Sequence, residues 1–188
     1  MRPMASGGDL TLTILGFLNE RPMHGYELKN ELAALTGHLR PVSDGALYPA
    51  IARLAAKGLL ERHEEAGAHA ARRQVLTITE AGRQELLRRL REPSDYDISD
   101  QSRFFALLAF LSALPDPADQ AAVLRRRLAF LEAPASFFQK DGRPVRIKDE
   151  PDPYRRGMLV VARAAGQAER EWLRERLSEL DAEPDVSH

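Results

Sequence analysis

Between Leu10 and Glu92 the apolar residues keep a helical period, switch to alternation, and return to a helical period. Leu10, Ile14, Leu15 and Leu18 make the first helical stripe, closed by "NERP". Leu28, Leu32 and Leu35 make the second, at i, i+4 and i+7, with Gly37 placed as its C-terminal cap. Leu47, Ile51 and Leu54 make the third, which Ser43 or Asp44 opens and Gly58 stops. "LLERHEE" and "RQVLTIT" then read as β-rich runs on either side of "AGAHAAR", a two-stranded hairpin with a long tip. A fourth helical stripe, Leu86, Leu87 and Leu90, follows Thr79 as cap and ends at Pro93. Helix, helix, helix, hairpin, helix is the order of a winged helix-turn-helix, mainly α with a small β-hairpin wing, and it places that domain at residues 1–92.

Residues 93–188 read as a second, all-α domain suited to dimerisation. "SDYDISD" is a polar linker into it. "FFALLAFLSAL" is apolar nearly all round and calls for burial on several sides. "PDPADQAAVLRRRLAFLE" has Asp116 as cap, Pro117 in the first turn, and a stripe at Ala121, Leu124, Leu128 and Leu131. "SFFQKDGRPVRIKDEPDP" reads as a loop, and a last helix follows from about Tyr154 to Leu180. In that helix Tyr154, Met158, Val161, Ala165, Ala168 and Trp172 are spaced alternately by four and three, which is a coiled-coil seam. A helix of roughly 40 Å exceeds the needs of a small domain and suits a partner chain. The residues expected at the dimer contact are Phe104, Leu108, Leu111, Met158, Val161, Ala165, Ala168 and Trp172.

Composition excludes several classes. The 188 residues include no cysteine, so disulfides and cysteine-held metals are ruled out. No apolar run is long enough to span a bilayer. "LTLTILGFL" is no secretory core, because Asp9 precedes it, Thr11 and Thr13 interrupt it, and "NERP" follows. The expected location is therefore cytoplasmic. Net charge is −1. Residues 1–92 carry 13 Lys and Arg against 11 Asp and Glu, and residues 93–188 carry 14 against 17. A nucleic-acid site on such a chain is a local patch. The five histidines form no i, i+4 pair, no glycine-rich phosphate loop is present, and Ser136 and Ser178 lack a nucleophile motif. Neither an enzyme nor a metal or cofactor site is expected.

The third helix has an unusual face. Opposite Leu47, Ile51 and Leu54 stand Gly45, Pro49, Ala52 and Ala56, with Tyr48 on one flank and Arg53 on the other. Small residues let a helix backbone sit deep in a major groove, which admits one α-helix. Ser43 and Tyr48 then reach bases or phosphates, and Arg53 reaches phosphate or guanine. The plain alternative is a solvated surface on which nothing demands large residues.

Three pieces of sequence resemble the PadR family of transcriptional regulators. They are "HGYEL" (His24 to Leu28), "DGALYPAIARLAAKGLLE" (Asp44 to Glu61) and "RRQVLTITEAG" (Arg72 to Gly82). The resemblance implies a homodimeric repressor on an inverted-repeat operator in double-stranded DNA. It puts Gly45, Tyr48 and Pro49 at the opening of the recognition helix and Arg73 at the basic wing position. With His24, Tyr26, Arg40, Ser43, Arg53 and Arg72 these are the candidate DNA-binding residues. Val75 and Leu76 depart from the family, which carries tyrosines there, and the four prolines of residues 134–153 depart as well. The resemblance also implies small, often aromatic effectors. Phe104, Phe105, Phe110, Phe137, Phe138 and Trp172 either line such a pocket or pack the dimer core. A winged helix without specific DNA binding, docking another protein instead, is the competing reading.

Overall fold

The computed structural model describes residues 10–36, 42–65, 73–133, 139–140 and 143–182. It divides the chain into two compact units, Met1–Pro115 and Asp116–His188.

The first unit runs α1 (Thr11–Glu20), β1 (Met23–His24), α2 (Gly25–Thr36), α3 (Asp44–Ala56), β2 (Leu60–Glu65), β3 (Arg73–Ile78) and α4 (Glu80–Arg91). Then come α5 (Asp95–Ser99), α6 (Gln101–Leu108) and a 3-10 turn, Leu111–Ala113. The helical stripes meet in one core. Ile14, Leu15 and Leu18 from α1, Leu28 and Leu32 from α2, Leu47, Ile51 and Leu54 from α3, and Leu86 and Leu90 from α4 are all buried. This is a winged helix-turn-helix.

The sheet has three strands in the order β1-β3-β2, one more than the expected hairpin. The hairpin places Leu60 opposite Ile78, Arg62 opposite Leu76 and Glu64 opposite Gln74. The third strand is two residues long, with Met23 opposite Leu76 and His24 opposite Val75. So short a run leaves no alternation in the sequence. It is a strand because the far edge of β3 offers it hydrogen-bonding partners.

Two glycines set the corner between wing and helices. Gly58 ends α3 in the left-handed region, at φ +70°, where other residues are strained. Gly82, in the first turn of α4, lies against the backbone of Leu59, and a side chain there would overlap the Leu59 carbonyl oxygen. Thr79 holds this junction. Its hydroxyl donates to the Gly58 carbonyl at 2.7 Å and accepts from the Gly82 amide at 3.0 Å.

The stretch expected as a linker is instead helical. Ser94 and Asp97 form a reciprocal capping box, each side chain accepting the other's backbone N–H, and this starts α5. Ile98 is buried. The apolar stretch after it is helical only to Leu108. Phe104, Leu107, Phe110, Leu111 and Leu114 are buried, whereas Phe105 stays half exposed.

The second unit holds α7 (Pro117–Glu132), β4 (Gln139–Lys140), β5 (Arg143–Pro144), a 3-10 turn (Ile147–Asp149) and α8 (Pro153–Ala182). The region read as a loop thus includes a two-residue strand pair and a helical turn. Asp116 caps α7 by accepting from the Ala118 amide at 2.8 Å. α7 packs against α8, and Ala121, Val123 and Leu124 of α7 and Leu159, Leu173, Leu177 and Leu180 of α8 are buried. A bidentate ion pair crosses this contact: Arg127 Nε and Nη2 donate to the two Glu169 carboxylate oxygens at 2.7 and 3.1 Å. At 30 residues α8 is about 45 Å long. Among the described residues no helix is long and apolar enough to cross a membrane.

Candidate nucleic-acid interface

The outer face of α3 is set by its buried one. Leu47, Ala50, Ile51 and Leu54 face the core, and this fixes Ser43, Gly45, Tyr48, Pro49, Ala52, Arg53 and Ala56 on the exposed side. Around Gly45 the space is open: an added Cβ would meet only the Ser43 hydroxyl, 4.0 Å away. Pro49 lies inside the helix and has no N–H to give the Gly45 carbonyl. Ser43 stands at the N-cap with no side-chain capping bond, and it is exposed. The helix therefore shows solvent a nearly bare backbone stripe.

The flank of that stripe is built by α2 and β3. Tyr48 is 50% exposed and rests beside Gly25, whose missing side chain gives the ring room: a Cβ there would lie 3.3 Å from Tyr48 Cε1. His24 and Tyr26 stack in parallel, with ring centroids 5.7 Å apart. The His24 amide donates to Glu27 at 2.7 Å, and its Nδ1 donates to the Gln74 carbonyl at 3.1 Å, so the imidazole is tied to the wing. Together His24, Tyr26, Tyr48, Arg62 and Gln74 border a hollow of about 440 Å³ between α2, α3 and the sheet. The structure thus gathers His24, Tyr26 and Tyr48, three of the residues the sequence singles out. It adds Arg62, which sequence reasoning missed. The available signal was register: with Leu60 buried, Arg62 shares its face and stands opposite buried Leu76.

Charge pairing is uneven across the first unit. Arg21 pairs with Glu31 at 3.1 Å, Arg103 with Asp97 at 2.7 Å, and Arg83 with Glu80 at 3.8 Å. Arg88 and Arg89 share Glu85 at 2.9 and 2.6 Å. The Arg88 hydrogen bond, helped by Arg89 and opposed by partial burial, holds the Glu85 carboxyl down at about 2. Lys29 binds Asp44 at 2.7 Å, which raises the lysine pKa and neutralises the one carboxylate in the first turn of α3. Among the described residues Arg53, Lys57 and Arg62 have no such carboxylate. All three lie on α3, just after it, or on the adjoining strand.

Arg40, Arg72, the Gly37 cap and the hairpin tip lie outside the described residues, as do Phe137 and Phe138. Arg73 opens β3 opposite Glu65. Leu76, at a position where a tyrosine was expected from the resemblance, is buried. Of the residues assigned to a dimer contact, Phe104 and Leu111 are buried and Leu108 is half-buried. Met158, Val161, Ala165, Ala168 and Trp172 are exposed along α8, in line with Tyr154. Phe110 meets Phe17 edge-on at 5.0 Å, an ordinary core contact. A second hollow, of about 340 Å³, has Leu10, Leu12, Leu32 and Leu107 on its walls with Arg88 and Arg103.

Several known proteins are similar to this chain. The transcriptional regulator PadR-like family matches residues 14–88. An uncharacterized 37.1 kDa protein in transposon TN4556 of Streptomyces fradiae is 38% identical over 81 residues, which is 43% of this chain and 21% of that protein. The chain therefore spans about a fifth of the curated relative it matches. A transcriptional regulator from Clostridium thermocellum is 28% identical, with 41% of this chain and 74% of that chain covered and a TM-score of 0.38. Bacillus subtilis PadR in complex with operator DNA is 20% identical, with 95% and 99% covered and a TM-score of 0.45.

Proposed function

Because residues 14–88 belong to the PadR-like family of transcriptional regulators, we propose that the chain is a homodimeric repressor that binds an inverted-repeat operator through α3 and the wing. The observation that carries this is the bare outer face of α3 beside three cations without carboxylate partners among the described residues. Gly45, Pro49, Ala52 and Ala56 let the helix backbone approach the floor of a major groove. Ser43, Tyr48 and Arg53 reach the edges of that groove from the flanks. His24 and Tyr26 meet the DNA backbone at the start of α2, and Arg40, Arg72 and Arg73 are the further candidate contacts that the resemblance and the sequence supply. Pairing of α8 along Met158, Val161, Ala165, Ala168 and Trp172 makes the dimer. On an inverted repeat the two α3 helices of a dimer enter major grooves one turn apart, about 34 Å. With so few side chains on the face, DNA shape supplies part of the specificity.

Fluorescence anisotropy against DNA from upstream of the chain's own gene, with excess random duplex and at two salt concentrations, tests the proposal. Tight binding that resists competitor and weakens with salt is the expected result. A complete lack of salt-dependent binding would overturn it and favour a winged helix that docks another protein. A small aromatic effector, the ligand class the resemblance implies, has room in the second hollow, which Leu10, Leu12, Leu32 and Leu107 help to wall. Thermal stabilisation by simple aromatic compounds checks that reading.

A further inference from the structure

The hollow between α3 and the wing has a cation with no role assigned so far. We infer that Arg62 seats a backbone phosphate of the DNA strand that runs between α3 and the wing. This rests on the DNA-binding reading above and names a contact within it.

Register fixes which way Arg62 faces. Arg62 faces the same side of the sheet as Leu60 and Leu76, and both leucines are buried. An arginine on that face covers apolar surface with its stem and carries its guanidinium outward to water. Ile51 and Leu76 lie in the same hollow as Arg62, so the apolar surface for that stem is present. On the opposite face of β2, Glu61 and His63 bond each other at 3.2 Å and leave Arg62 alone. Glu27, the acidic residue nearest in sequence to His24, is turned onto the His24 amide and closes the start of α2. None of the described residues lining the hollow is an Asp or a Glu.

The occupant follows from chemistry and position. Tyr26, Tyr48 and Gln74 are neutral groups able to donate hydrogen bonds, and they line the same hollow as Arg62, which has no carboxylate partner among the described residues. Such a set suits a singly charged oxyanion. The hollow opens beside the α3 flank that carries Tyr48 and is edged by Ala52 of the groove-facing stripe; a duplex in the proposed major-groove pose brings its sugar–phosphate backbone to that edge. Phosphate contacts position a protein on DNA without reading its sequence. Arg62 therefore contributes affinity equally to all sequences.

The test uses the full chain and a random duplex of about 30 base pairs, so it does not depend on knowing the operator. Binding of wild type, Arg62→Gln and Arg62→Lys is followed by anisotropy across a salt series. Gln keeps most of the stem over Leu76, and circular dichroism checks that each variant is folded. Loss of one phosphate contact lowers the slope of log K against log salt by about 0.9, which is about eightfold in affinity at 0.1 M salt. Arg62→Gln should show both changes, and Arg62→Lys should keep most of the wild-type slope. The same loss should appear on DNA from upstream of the chain's own gene. An unchanged slope in Arg62→Gln, with wild type binding in a salt-dependent way, overturns the phosphate contact and leaves the regulator reading standing. A loss confined to the upstream DNA also overturns it, because Arg62 would then be reading bases. If wild type itself shows no salt-dependent binding, the regulator reading has failed.

Discussion

Replacing Glu169 by alanine should destabilise the second unit by breaking its ion pair with the buried Arg127. The Arg127 side chain is 3% exposed and that of Glu169 is 13% exposed. Two hydrogen bonds, at 2.7 and 3.1 Å, make the pair bidentate. Removing one partner of a buried pair costs about 3–5 kcal/mol, because the remaining charge keeps its desolvation penalty and loses its bidentate acceptor. Glu169 has some solvent access, so water reaches part of the guanidinium after truncation, and the lower end, about 3 kcal/mol, applies. With a urea dependence of about 1–3 kcal/mol per molar, the midpoint should fall by at least about 1 M. Far-UV circular dichroism and the fluorescence of Trp172, the chain's sole tryptophan, follow the transition at one fixed protein concentration. The paired change Arg127→Met with Glu169→Leu should recover most of the loss, since apolar replacement of a buried pair is often neutral or stabilising. A midpoint that barely moves in Glu169→Ala would refute the burial argument. A double variant no better than the single one would refute the claim that the loss of the carboxylate facing the buried guanidinium is the cause.

Other outcomes follow from geometry already described. Tyr48→Ala should weaken binding to operator DNA by about tenfold, or 1.4 kcal/mol, with an unchanged dimer mass in sedimentation; unchanged affinity would mean α3 does not dock as proposed. Gly82→Ala should cost about 3 kcal/mol, since its methyl group would meet a backbone carbonyl fixed by the corner of the wing. A melting temperature within a degree or two of wild type would contradict that packing. Arg88 and Arg89 lower the Glu85 carboxyl from its ordinary 4.5 to about 2 in the folded state. The stability gained is fully present above the unfolded value and is lost as pH falls toward about 2. The melting-temperature difference between wild type and Glu85→Gln should therefore shrink across that window, and a constant difference would exclude the ion pairs as its source.

Much of the first unit could be read from the chain because its helices obey one period each. The α3 stripe gave both the core side and the bare side, and Gly58 gave the stop. The rest depended on contacts that no local pattern records. Met23 and His24 become a strand only because β3 has a free edge. Ser94 and Asp97 lie in a run that looks like linker until their reciprocal bonds and the burial of Ile98 are seen. Arg62 sits in the polar run "ERHEE", and its orientation waits on the register with Leu76. Arg127 occupies the buried side of α7, where hydrophobicity alone leads one to expect an apolar residue; its acceptor is 42 residues further on. Gly82 was legible as part of a motif, but its purpose, contact with the Leu59 backbone, was not.

The bare face of α3 has a consequence for how such a chain diverges. Residues that hold the fold, Leu47, Ala50, Ile51 and Leu54, are interleaved with positions 45, 52 and 56, which no neighbouring side chain needs. An ordinary side chain introduced at position 45, 52 or 56 costs only helix propensity, under about 1 kcal/mol, and at Gly45 it gains some. A duplicated copy of the gene can therefore acquire new contacts one residue at a time, each intermediate remaining folded. Scaffold and lettering occupy the same thirteen-residue helix, yet mutation can rewrite one without eroding the other.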